Sequence, residues 1–228
     1  DESAISDFIS HYGPTDYSFN RGKVHVVVMD NIVCTKTNGS TWTYNAGFSR
    51  SQYNWLKADI AAVENKEDKM IILCCHIPFR GGSNSGGSNV NKDKYYSETL
   101  ELMKQFNEAH IMIGHTHYPQ NYRHTGYLTK NGLPIYEHVH GGACGGWWTC
   151  NMNVDGAPNG YSIYEIEGNH MRNWLAKSTG QPEDFQMRVY NGNQTYGTTY
   201  TYNWYKDSYG GSKNIKYTGR SFLKDAFV

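Results

Sequence analysis

The chain has 228 residues, 21 of them basic and 21 acidic, so its formal charge is zero. That length suits one large domain or one and a half smaller ones, and a balanced charge without a basic stripe argues against nucleic acid as the main partner. No apolar run reaches the roughly 18 residues that cross a bilayer, so there is no transmembrane segment, and the acidic opening "DESAISDF" lacks the basic flank and apolar stretch of a signal peptide.

In chain order, the first strong element is "KVHVVVMDN" (23–31), a β-branched run that reads as a strand covered on both faces and ending on Asp30 and Asn31. Next, "SRSQYNWLKADIAAV" opens with Ser49 three residues before Gln52, a capping-box spacing, and then sets Trp55, Leu56, Ile60 and Val63 on one helical face. A second apolar run, "MIILCC" (70–75), leads to His76. The segment "GGSNSGGSNVN" (81–91) has almost nothing to pack and reads as a loop, either a tolerated insertion or a lid over a site. "SETLELMKQFNEA" predicts a second helix with Leu100, Met103 and Phe106 on one side, and "IMIG" a third buried strand. This alternation predicts βαβ units and a sheet with helices on both faces. From about residue 180, "FQMRVY" and "TYTYNWY" alternate at period two, which predicts antiparallel strands with an aromatic face.

In such sheets polar ligands gather beyond the carboxyl ends of the strands, the edge to which Asp30, His76 and His115 belong. Within "IMIGHTHYP", His115 and His117 are two apart, and on an extended segment both imidazoles face one side. Neutral imidazole binds Zn, Fe, Mn or Ni, and carboxylates complete such sets. Gly114 lets the backbone approach closely. An isolated His-x-His is more often a surface or hydrogen-bonded pair. Here the pair follows a buried strand, and a third histidine, His76, ends another and is followed by x-Pro.

Other polar and aromatic residues invite two readings each. Arg80, at the mouth of the glycine loop, could pair with a phosphate or be an ordinary loop arginine. Trp147 and Trp148 follow "GGACGG"; one indole could wall a substrate pocket while the other caps the core. His138 and His140 in "IYEHVHGG" alternate as strand histidines do, with a metal role as the alternative. The five cysteines, Cys34, Cys74, Cys75, Cys144 and Cys150, form no paired CxxC spacing, so neither a disulfide scaffold nor a cysteine zinc site is indicated.

"GHTH" after a buried strand, with "HIP" at the end of an earlier one, resembles the last two metal motifs of the calcineurin-like metallophosphoesterases, whose fold is an αββα sandwich around a two-metal centre. "YGPTDYSFNRGKVHVVVMDN" and "SQYNWLKADI" resemble the mid-domain of that family. "GGACGGWW" followed by "DGAPNGYSIYEIEG" resembles its secreted bacterial branch, which carries an extra C-terminal β domain. The resemblance implies an α/β chain with the C-terminal half of the sandwich in residues 1–179 and the start of an antiparallel β domain in 180–228. It implies hydrolysis of a phosphomonoester or phosphodiester at two divalent ions (Mn, Zn or Fe), with His76 and His115 ligating one and His117 the other. Apart from the resemblance, Arg80, Trp147 and Trp148 are the candidates for the substrate side, and Asp30 reads as structural or as a support to the ligands rather than as a ligand. A periplasmic or secreted location follows from the branch, where Cys144 and Cys150 could pair.

The family's earlier motifs, Asp-x-His, Gly-Asp and Gly-Asn-His, have no match in these residues, and His11 in "SHYG" fits none of them. The expectation is therefore a chain lacking the N-terminal portion of its parent, with no catalytic residue of its own and silent unless that portion joins it. Two rival readings stand beside this one: a noncatalytic β-rich module for carbohydrate or protein with vestigial histidines, and a mononuclear metal hydrolase of another fold.

Overall fold

The computed structural model describes residues 2–37, 41–80, 95–144, 153, 157–184, 200–201 and 214–215. The chain divides into two compact units, residues 1–140 with 164–173, and residues 141–163 with 174–228.

The first unit begins with helix α1 (Glu2–Tyr12) and strands β1 (Tyr17–Arg21) and β2 (Val24–Val28). A hairpin of β3 (Ile32–Thr37) and β4 (Thr41–Ala46) leads to α2 (Arg50–Ala62). A 3-10 turn at Lys66–Asp68 precedes β5 (Met70–Cys74), α3 (Tyr96–Met103), β6 (Glu108–Ile113), β7 (Gln120–Leu128) and β8 (Pro134–Val139). One six-stranded sheet results, in the order β1-β2-β5-β6-β8-β7. Its inner strands β2, β5, β6 and β8 are mutually parallel, and β1 and β7 close the edges antiparallel.

Because successive side chains on a strand alternate faces, the apolar runs split cleanly. Val27, Ile71, Leu73, Ala109, Ile111, Ile113, Ile135 and Val139 pack in one cluster with Leu56 and Ile60 of α2 and Tyr96, Leu100 and Met103 of α3. Each Val, Leu, Ile or Met among them stabilises the fold by about 1.5–3 kcal/mol when fully buried. Val24, Met70 and Ile72 point the other way and pack with Met171 and Tyr164. Both of those lie on a two-stranded hairpin of β9 (Gly160–Glu167) and β10 (His170–Ser178). The expectation of helices on both faces is thus corrected: α2 and α3 share one face, and hairpin residues 164 and 171 meet the other.

Helix α2 starts as its sequence dictates. The Ser49 hydroxyl accepts from Gln52 N, and the Gln52 side chain accepts from Ser49 N, so two otherwise orphaned amides are satisfied. Helix α3 is shorter than its periodicity predicts. It ends at Met103, and Asn107 N donates to Lys69 O while Glu108 pairs with Met70 in the sheet. Strand pairing claims the last residues of "SETLELMKQFNEA", and tertiary pairing overrides helix propensity there.

In the second unit, Asn153 accepts from Gly142 N and donates to Pro158 O. A Cβ on Gly160 would lie 2.2 Å from the Lys177 carbonyl oxygen, so only glycine fits that close approach. Strands β11 (Tyr200–Thr201) and β12 (Asn214–Ile215) pair antiparallel. The segment "FQMRVY", most of "TYTYNWY", the loop 81–91, Cys150 and the pair Trp147 and Trp148 lie outside the described residues. Among the described residues no helix is long and apolar enough to cross a membrane.

Candidate metal centre

Four parallel strands deliver their carboxyl ends to one edge of the sheet. Beyond β2 stand Asp30 and Asn31, beyond β5 Cys75 and His76, beyond β6 Gly114 and His115, and beyond β8 His140. The sequence-derived placement of His76 and His115 on this edge matches the structure.

The segment after β5 is held by two fully buried side chains. Asn31 Oδ1 accepts from His76 N (3.0 Å) and Ile77 N (2.9 Å), and Asn31 Nδ2 donates to Ile77 O (2.7 Å) and to the Tyr96 hydroxyl (2.8 Å). Glu137 Oε1 accepts from Phe79 N at 3.1 Å and, at the long limit of 3.5 Å, from Arg80 N. The other oxygen of Glu137 pairs with His124 Nε2 at 2.6 Å. The Arg80 guanidinium lies over the Tyr122 ring, 5.0 Å from its centroid.

The segment after β6 folds on itself. Thr116 N donates to Gly114 O (2.8 Å), closing a three-residue turn around His115, whose φ is +70°. That combination is the rarer, strained form of γ-turn. His117 is also left-handed, with φ +60°, and the Thr116 hydroxyl donates to Tyr118 O (3.0 Å). The extended geometry expected for His-x-His is therefore corrected: the backbone turns sharply at each histidine. Each left-handed residue costs on the order of 1–2 kcal/mol, and such outliers cluster at functional sites. Gly114 N donates to His76 O (3.2 Å), joining the two segments.

The result brings His76 Nε2 within 3.3 Å of His115 Nδ1, with the rings edge to face and 5.1 Å between centroids. Burial lowers the pKa of all three histidines below the ordinary 6.5. For His115 the charges of His76 and His117 push the same way, for His117 that of His76 does, and for His76 the Asp30 carboxylate pulls weakly back. Neutral imidazoles are the form that binds cations. Asp30 itself is used structurally: its Oδ1 accepts from Ile32 N (2.9 Å). Tyr44 of the β3–β4 hairpin, an exposed ring, stands edge-on to His115 with centroids 6.0 Å apart.

Two nitrogens bound about 2.0–2.1 Å from one tetrahedral ion stand about 3.3–3.4 Å apart, so the spacing of His76 and His115, which is also that of an N–H···N hydrogen bond between the two rings, is compatible with a shared cation. Among the described residues, no group of three or more His, Cys, Asp or Glu is arranged to hold one.

The other histidines have separate work. His140 offers both its backbone N and its ring Nδ1 to Ile113 O (2.7 Å each), which orients Nε2 toward the Tyr164 hydroxyl (2.7 Å). His138 contacts His110 Nδ1 (2.9 Å) and Asn121 Oδ1 (3.0 Å), and burial, aided by the charges of His110 and His140, brings its pKa down to about 3. His110 Nε2 meets Glu108 Oε1 at 2.7 Å, and His170 meets the other Glu108 oxygen. Burial pushes the Glu108 carboxyl up, but hydrogen bonds from His110, Met171 N and His170 outweigh it and hold the pKa below the usual value. Asn31, Glu137 and Tyr44 were not singled out as functional in the sequence; each is recognisable only once the fold brings distant segments together.

Residues 137–220 match the family model described as the C terminal of calcineurin-like phosphoesterase. Among curated proteins, none matches the chain. The matched span begins after His76, His115 and His117, so it speaks to the lineage of the C-terminal part and leaves the ligand set to the geometry above.

Proposed function

We propose, from the kinship of residues 137–220 with the C-terminal part of calcineurin-like phosphoesterases, that this chain contributes one side of a two-metal centre for phosphoester hydrolysis. The observation that supports it most is the 3.3 Å approach of His76 Nε2 to His115 Nδ1, at the sheet edge where ligands gather and within the motifs "HIP" and "GHTH". His76 and His115 are assigned to one ion and His117 to the other. When bound, such a pair of ions supplies Lewis acidity and a nucleophilic hydroxide at neutral pH.

The chain's own residues orient and exclude. The two backbone clamps fix His76 in place, and depressed basicity keeps the imidazole lone pairs available at neutral pH. Arg80, steadied on Tyr122, is assigned to the non-reacting oxygens of the phosphate, and Tyr44 to the rim. One indole of the pair Trp147 and Trp148 is assigned to the substrate wall. The resemblance to the secreted branch supports a periplasmic or extracellular setting for the same chemistry.

Three imidazoles shared between two ions fall short of the three protein ligands per ion that hydrolytic sites use. The chain by itself is therefore expected to hold metal weakly and to turn nothing over, with a polypeptide carrying Asp-x-His, Gly-Asp and Gly-Asn-His as its partner. Calorimetric titration with Mn or Zn, together with assays on an aryl phosphate and an aryl phosphodiester, tests this. Robust hydrolysis by the chain alone, abolished by His117→Ala, would overturn the half-centre. Metal binding indifferent to His76→Ala and His115→Ala would overturn the ligand assignment.

A further inference from the structure

Three of the four hydrogen-bonding positions of one buried side chain are spent on the segment that carries His76, and the fourth ties it to helix α3. Asn31 is 0% exposed. An amide has two acceptor sites and two donor hydrogens, and here the acceptors take His76 N and Ile77 N while the donors reach Ile77 O and the Tyr96 hydroxyl. The orientation is unambiguous, because backbone N–H groups only donate and a carbonyl only accepts. Asn31 is itself fixed: its backbone carbonyl accepts from Gly47 N (3.0 Å) at the open end of the β3–β4 hairpin. The His76 carbonyl in turn accepts from Gly114 N, one residue before His115. One amide thus governs the backbone of the first histidine and, through it, the approach of the second.

We infer that Asn31 is the positioning residue of the centre: its side-chain amide sets the His76 backbone so that Nε2 meets His115 Nδ1. This rests on the reading of His76 and His115 as ligands of one ion. Groups that orient metal ligands without touching the metal typically cost about 10- to 100-fold in affinity when removed.

The test compares the wild-type chain with Asn31→Ala and with Leu56→Ala, a deletion in the shared core that lowers stability without removing any hydrogen bond of this segment. Zn affinity is read by calorimetry, and the His76–His115 ring contact by NMR in the metal-free chain. Asn31→Ala is expected to lose about 10- to 100-fold in affinity together with the ring contact, while Leu56→Ala keeps both. Should Asn31→Ala fail to fold, Tyr96→Phe removes one of the four partners while keeping the shape, with an expected loss of about 2- to 5-fold. Wild-type affinity and ring contact in the folded variant, or an equal loss in Leu56→Ala, would overturn the proposal. If the wild type binds no Zn, the ligand reading fails, and the ring contact alone still decides the role of Asn31.

Discussion

The two segments that bring the histidines together are built in opposite ways. Residues 76–80 make no local turn of their own; buried side chains of Asn31 and Glu137, 46 and 58 positions away from their partners at Ile77 and Phe79, hold them in place. Residues 114–118 shape themselves, with a bond from Thr116 N to Gly114 O and two left-handed histidines. The first arrangement draws its precision from the core. The second stores strain locally, so damage to the core should disturb His76 more than His115.

The largest expected effect sharpens that difference. Glu137→Ala leaves His124 and the backbone amides of Phe79 and Arg80 without their acceptor in a fully buried place. We expect a loss of about 3–5 kcal/mol in denaturant unfolding, with NMR shifts larger in 76–80 than in 114–118.

Acid should blur the difference, since histidines in both segments, and His138 besides, resist protonation. Their folded pKa values lie below 6.5, so above that pH both folded and unfolded chains carry neutral rings. As the pH falls below 6.5 the unfolded chain takes up protons that the folded one refuses, and stability drops. For His138, whose value is about 3, the slope is about 1.4 kcal/mol per pH unit across that window. Denaturant midpoints measured on either side of this threshold should show the fall, and His138→Gln should flatten it.

The smallest effect has the opposite sign. His117→Gly relieves a left-handed residue, and after the greater freedom glycine has when unfolded, about 0.5–1 kcal/mol of stability should remain as a gain in thermal unfolding. The same change should weaken metal binding in calorimetry. A destabilised variant would show that the turn is relaxed as it stands.

The same contrast explains what the sequence disclosed. The apolar runs at 24–28, 70–74 and 108–113, and the capping box at Ser49, are patterns of neighbours, and "GHTH" is too. Their positions on the sheet edge follow from strand polarity alone. Nothing near Asn31 or Glu137 in the chain announces their partners, because those bonds exist only after the strands pair. Glu137 even alternates like an ordinary strand residue, in "IYEHV", before it is seen to face the clustered core. Helix α3 ends earlier than its periodicity predicts for the same reason: the register of Glu108 opposite Met70 is a property of two strands. Strand β1 carries little alternation in its sequence because its exposed edge position imposes little.

The bond from Gly114 N to the His76 carbonyl has a kinetic meaning as well. Opening one segment must break the tie to the other, so the two behave as a single cooperative unit in which slow fluctuations are shared. The amide hydrogens of Ile77 and Gly114, far apart in the chain, should then exchange with solvent deuterium through the same rare opening, and a cation gripping His76 and His115 would slow both by a common factor.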